Sequence, residues 1–170
     1  MKKLLSALLV LCLLMPAALA EEAVTTNLAA IRINELMASN SETLEDQNGE
    51  SSDWIELYNT SDSAVNLKGL CLSDGKKTLD KFVFPDVILP AHGYLVVFAS
   101  GEEDVTGEEI HVGFKLSADG ERVVLSAGGV ILDIVSFDAQ EKDISYARFD
   151  DRAWRFTSRP TPGAENQFAD

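Results

Sequence analysis

Cysteine and histidine are scarce in this chain of 170 residues: Cys12 and Cys71 are its cysteines, His92 and His111 its histidines. Cys12 lies in an apolar run at the N-terminus, so a chain processed after that run keeps Cys71 alone and forms no internal disulfide. Its stability then comes from an apolar core rather than from cross-links. Basic side chains are also few, with 14 Lys and Arg against 28 Asp and Glu and a formal net charge of −14. A surface that binds nucleic acid needs a basic stripe to displace counterions from phosphates, which this composition excludes. No Gly-rich phosphate loop followed by Lys-Ser/Thr occurs. Neither histidine stands in a zinc-ligand motif or a Ser-His-Asp pattern, so both are read as surface residues of turns or loops. Beyond Ala20 there is no apolar run of membrane-spanning length and no sustained helical period, which excludes a helix bundle.

The chain opens MKKLLSALLVLCLLMPAALAEE. Lys2 and Lys3 precede an apolar run from Leu4 to Met15, and Ala18-Leu19-Ala20 has the small-x-small form of a cleavage site, so residues 1–20 are read as a secretory signal peptide. The run is shorter than the roughly 20 residues that cross a bilayer. Leu9-Val10-Leu11, not small residues, precede Cys12, which argues against lipid attachment. Loss of the signal removes two lysines and no acid, leaving a net charge near −16. The expectation is a secreted bacterial protein, extracellular or associated with the cell envelope. Residues 21–30 read as a short polar leader, 31–166 as one domain and 167–170 as a C-terminal tail. A domain of about 150 residues buries roughly 68–70% of the surface its unfolded chain exposes, enough for a core of its own.

Short apolar runs separated by turn chemistry fill that domain. IRINELM, DWIELYN, GLCLS, KFVFPDVIL, GYLVVFAS, ERVVLSA, VILDIVSF, ISYARF and AWRFT have the length and the Val, Ile, Phe and Tyr content of strands. TSDS, SDGKK, PAHG, ADG, GG and FDDR between them reverse an extended chain. Asp119-Gly120 and Gly128-Gly129 each predict a hairpin, the first joining FKLS to ERVVLS and the second VVLSA to VILDIV. Ala99 to Gly113 reads as one long, acidic, solvated loop. The pattern predicts an all-β sandwich or barrel.

DWIELYN carries a question of its own. In an alternating strand Trp54, Glu56 and Tyr58 share one face while Ile55 and Leu57 share the other. Both faces are partly apolar, so this is a central strand with Ile55 and Leu57 in the core. Glu56, between two aromatics, then needs a hydrogen-bonding or cationic partner. Glu35 has the same need beside Ile33 and Met37.

These residues resemble a known module. Asn34-Glu35-Leu36, the block Asp53-Trp54-Ile55-Glu56-Leu57-Tyr58-Asn59, the strand VNLKGLCLSD, the turn Pro90-x-x-Gly93 into a Val-rich strand, Phe114-Lys115-Leu116-Ser117 and Thr161-Pro162-Gly163 are similar in kind and order to the lamin tail domain, over residues 31 to 166. The resemblance implies an immunoglobulin-like β-sandwich of about eight or nine strands, acting as an adhesion or interaction domain without catalysis. A coiled-coil rod, a nuclear-localisation run and a prenylation box are absent from this sequence, which removes the case for a filament or nuclear-envelope role.

Candidate chemistry is confined to a few acids. Asp46, Asn48, Glu50 and Asp53 place oxygen ligands at short intervals around Gly49, a pattern suited to calcium, though without EF-hand spacing. The alternative is a solvated turn whose Asp and Asn cap local backbone groups. Glu35 and Glu56 could form a carboxylate pair of the kind that hydrolyses glycosides. The alternative is that backbone amides or an Arg hold each of them, and no sugar cleft lined with several aromatics is evident. Cys71 is read as a buried thiol, and Asn59-Thr60-Ser61 as turn chemistry rather than a glycosylation site. Arg148, Arg152, Arg155 and Arg159 form a basic cluster read as pairing with acids of other strands, a docking patch for an anionic partner being the alternative. The function expected is a secreted, non-catalytic binding or scaffolding module with a protein or cell-envelope partner. A calcium-stabilised loop domain and a hydrolase using Glu35 and Glu56 are the alternatives.

Overall fold

The computed structural model describes residues 24–105 and 108–168; the signal peptide assigned to residues 1–20 lies outside them. Strands follow in the order β1 (Val24–Thr25), β2 (Ile31–Met37), β3 (Asp53–Asn59), β4 (Ala64–Asn66), β5 (Leu70–Ser73), β6 (Phe82–Val83), β7 (Ile88–Leu89), β8 (Tyr94–Ala99), β9 (Ile110–His111), β10 (Gly120–Ala127), β11 (Val130–Asp138), β12 (Ser145–Arg148) and β13 (Trp154–Thr157). A 3-10 turn, Leu28–Ala30, precedes β2. Among the described residues no helix is long and apolar enough to cross a membrane. Of the thirteen strands among the described residues, nine run three residues or more, which matches the number expected of the sandwich; β1, β6, β7 and β9 are two-residue additions.

The strands form a six-stranded sheet, β13-β12-β2-β3-β8-β9, a four-stranded sheet, β11-β10-β5-β6, and a small one, β1-β4-β7. Alternation turns Ile55 and Leu57 of β3 and Val97 of β8 into one core, where they meet Leu70 and Leu72 of β5, Val123 and Leu125 of β10, and Phe82 and Phe84. Nonpolar area removed from water there drives the fold, at about 25 cal/mol per Å².

The six-stranded sheet carries one irregularity, and it decides where the acids go. Ile33 pairs with Leu57, but Glu35, not Asn34, pairs with Glu56, so Asn34 is an extra residue in β2. An inserted residue reverses the alternation beyond it. Ile31 and Ile33 point into the core before the bulge, and Leu36 and Ala38 do so after it. Glu35 and Met37 are thereby turned to the outer face, Glu35 opposite Glu56 and Met37 opposite Trp54. Met37, Trp54 and Phe98 make a second small core there, against which Leu44 of the β2–β3 loop packs.

Three sequence expectations are corrected. Asp119-Gly120 is a turn, with Gly120 N–H donating to Ser117 O at 3.0 Å, but Phe114 to Ser117 join no ladder, so it is not a hairpin. The segment Ala99 to Gly113 is not one solvated loop: Ile110–His111 adds to the sheet edge as a strand parallel to β8. The 21–30 leader holds β1, which pairs in parallel with β4. The Gly128-Gly129 hairpin stands, both glycines having the positive φ that its turn requires.

Candidate functional site

Glu35 and Glu56 are fully buried neighbours on adjacent strands. Among the described residues neither meets an arginine; both meet the segment after β13. Thr161 donates its backbone N–H and its hydroxyl to Glu35 Oε2 at 3.1 Å each, and Ser145 Oγ donates to Glu35 Oε1 at 2.5 Å. Glu56 accepts from the Gly163 N–H and, at 2.7 Å, from Asn34 Nδ2. Asn166 Nδ2 closes the arrangement by donating to the carbonyls of Asn34 at 3.1 Å and Arg148 at 2.9 Å. Residues 160–168 thus cross the outer face as a strap latched by two carboxylates. The strap itself is half-buried or exposed, whereas its anchors are buried.

Burial dominates the electrostatics of the latch. It raises Glu56 to about 7, against the lowering effect of the Gly163 N–H and Asn34, with the neighbouring Glu35 adding to the rise. Burial also raises Glu35, opposed by its bonds to Ser145 and Thr161. Such a pair could in principle exchange a proton with a substrate. Here the carboxyl oxygens face Ser145, Thr161, Gly163 and Asn34, and neither glutamate is among the residues lining the clefts beside the strap. Backbone amides holding the acids is the structural alternative foreseen from sequence. Ser145, Thr161, Gly163 and Asn166 were not foreseen as its donors, because nothing local in a Thr-Pro-Gly turn marks what it docks against.

The four residues proposed for calcium do not share one setting. Asp46, Asn48 and Glu50 line an acidic cleft of about 360 Å³ together with Ser52, Ser100, Glu102, Asp104, His111 and Lys115. Asp53 lines the adjoining cleft, where Glu50 and Lys115 also stand. Asp46 caps its own turn, its Oδ1 accepting the N–H of Asn48 at 2.8 Å and of Glu50 at 3.0 Å. Asp53 accepts the Asn40 N–H at 3.3 Å, and burial raises its pKa. As the side chains stand, no group of three or more His, Cys, Asp or Glu among the described residues could hold a metal ion.

His111 corrects a further expectation. It is only 6% exposed, its ring stacked on Phe98 with centroids 5.1 Å apart. His92 is at the surface as expected, 2.8 Å from Asp62. Cys71 is buried and free. Asn59 serves the turn chemistry read from sequence, its Nδ2 donating to the carbonyls of Ser63, Leu89 and Pro90. Arg148 pairs with Asp133 at 2.6 Å, and Arg155 lies over the Phe149 ring at 3.4 Å, so only part of the basic cluster meets an acid.

Beside the strap lies a cleft of about 700 Å³ lined by Arg32, Tyr58, Thr60, Arg148, Phe149 and Glu165 among others. Tyr94 and Phe168 extend the same wall. Tyr58 and Tyr94 stack at 4.7 Å, and Phe149 meets Phe168 edge-on at 5.2 Å. Several aromatics around one cleft are not legible in the sequence, because they come from four segments that only the fold brings together.

Comparison with known proteins agrees with this architecture. Residues 25–139 match a family described as Lamin Tail Domain, which leaves the strap beyond the matched region. No curated protein matches the chain.

Proposed function

The chain belongs to the lamin tail domain family, and from that premise we propose that it is a secreted, non-catalytic binding or scaffolding module acting at the cell surface or outside the cell. The observation that carries this reading is the latch: the paired acids that could serve catalysis are buried and engaged by the chain's own strap. The aromatic cleft beside the strap supplies a surface of the size that takes ligands, within the roughly 300–1,000 Å³ usual for such sites. Phe149 is 44% exposed there, with Arg155 over one face of its ring. A strongly acidic chain discourages anionic partners and leaves a protein or envelope component as the partner class.

The test is binding of the fluorescently labelled chain to isolated bacterial envelopes. The reading requires saturable binding that unlabelled chain competes away and that the folded variants Tyr58→Ser and Phe149→Ser weaken. Absence of saturable binding, or a glycoside-cleaving activity that a folded Glu56→Gln variant abolishes, would overturn it.

A further inference from the structure

β11 is the last strand of the four-stranded sheet and pairs with β10 alone among the described strands. Its other edge is open. The Ile134 N–H shows this directly, since it donates to Asp133 Oδ1 at 2.9 Å rather than to a neighbouring strand. Nine residues long, with Val130 62% and Ile131 41% exposed, β11 is the kind of edge that recruits another strand.

The opposite sheet supplies a floor beside that edge. Asp133 Oδ2 accepts the Ile33 N–H at 2.9 Å and pairs with Arg148 at 2.6 Å, so β11 lies over β2. β12 and β13 continue the six-stranded sheet past β2 and overhang the shorter sheet. Tyr146 stands opposite the core residue Leu36, which turns it to the inner face, and Trp154 and Phe156 join it there from β13. The rings form a shelf, with Tyr146 centred 5.4 Å from Trp154 and 4.7 Å from Phe156. Phe156 is 45% exposed. Burial, and behind it the carboxylate of Asp138, raises the Tyr146 pKa, which sets the end of β11 beside the shelf.

We propose that the groove between the β11 edge and this shelf docks an extended segment of a partner protein, of alternating apolar and basic residues, which joins the four-stranded sheet as a fifth strand. A strand at ladder spacing stands about 4.8 Å beyond β11, above β12 and its rings. Main-chain bonds, one of them from the Ile134 N–H, hold the segment, and its alternate apolar side chains fall on the shelf. Basic residues between them fit the charge. Asp138 is exposed at one end of the groove, Asp150 and Asp151 outnumber Arg152 in the turn at the other, and the chain carries a net charge of −14. The overhang excludes a second copy as the occupant. Two β11 edges would pair antiparallel about a twofold axis normal to the sheet, which sets β12 of each copy where β2 of the other must stand. This surface lies on the face of β12 opposite the strap, so it is distinct from the aromatic cleft.

The experiment is a fluorescence-polarisation titration of a fluorescein-labelled peptide of alternating valine and lysine, matched to the nine residues of β11, with circular dichroism on each variant to confirm folding. Saturable binding is expected, weakened at least about tenfold by Phe156→Ser, which takes a ring from the shelf, and by Ile134→Pro. Proline there removes the outward N–H and spares the bonds to β10, so it decides the matter if Phe156→Ser fails to fold. Val83→Ser, on the opposite edge of the same sheet, leaves binding unchanged. A peptide of alternating valine and glutamate binds at least about tenfold more weakly. The proposal is overturned if the lysine peptide does not saturate, if the folded edge and shelf variants bind as well as the parent, if Val83→Ser weakens binding as much as they do, or if the glutamate peptide binds equally well. It is also overturned if sedimentation shows that the chain self-associates and that Ile134→Pro makes it monomeric, since a second copy would then hold the edge.

Discussion

Ser145 shows how closely the latch is balanced at the level of single side chains. Its hydroxyl is one of the few donors that reach Glu35 in the interior. Ser145→Ala leaves that carboxyl oxygen short of a partner, and the cost expected is about 1–3 kcal/mol in urea unfolding. Gly120 tests a different constraint, since its φ is +99° and an added Cβ would lie 2.8 Å from the Phe137 carbonyl oxygen. Backbone cannot move aside as a flexible side chain can. Gly120→Ala should therefore lose more than about 1 kcal/mol, read as a fall in melting temperature.

The strap and the bulge belong to the scale of elements. Ending the chain after Ser158 removes the donors from Thr161, Gly163 and Asn166 together and leaves two carboxylates without most of their partners. A loss of at least about 3 kcal/mol is expected from urea titration of the truncated chain, because a buried charge stripped of partners costs more than a surface contact. Much of this arrangement was legible from the sequence, and the rest fails for identifiable reasons. DWIELYN shows its faces because its alternation is unbroken, so the placing of Trp54, Ile55, Glu56 and Leu57 follows directly. The bulge at Asn34 is invisible, since an inserted residue leaves no mark in IRINELM and shows only through pairing with β3. Ile110–His111 is hidden among acids and pairs in parallel with β8, a non-local contact that no hairpin turn announces. Phe114 and Leu116 show the reverse case: they alternate like a strand and are buried like one, yet no ladder partner reaches them. Apolar pattern reports burial, while hydrogen-bond partners depend on what the rest of the chain brings alongside.

For the whole molecule the decisive property is how the buried acids respond to pH. Burial raises Glu35, Asp53, Glu56 and Glu121 together, so the folded chain holds protons that the unfolded chain releases. Stability from such groups is fully present below their unfolded pKa and is lost as pH rises through the folded value. For Glu56 that window runs from 4.5 to about 7. The rise corresponds to up to about 3 kcal/mol across the window. The half-buried Asp143 acts in the opposite sense, its backbone partners at Glu42 and Ser41 lowering its pKa, so its contribution is lost only in stronger acid. The measurement that bears most directly on the latch is urea unfolding of the parent chain and of Glu56→Gln between pH 5 and pH 8. A parent whose stability falls with rising pH, and a variant in which that fall is much reduced, is the predicted result. Equal slopes in the two proteins, or a parent that gains stability as pH rises, would contradict the assignment of Glu56 as a buried structural carboxylate.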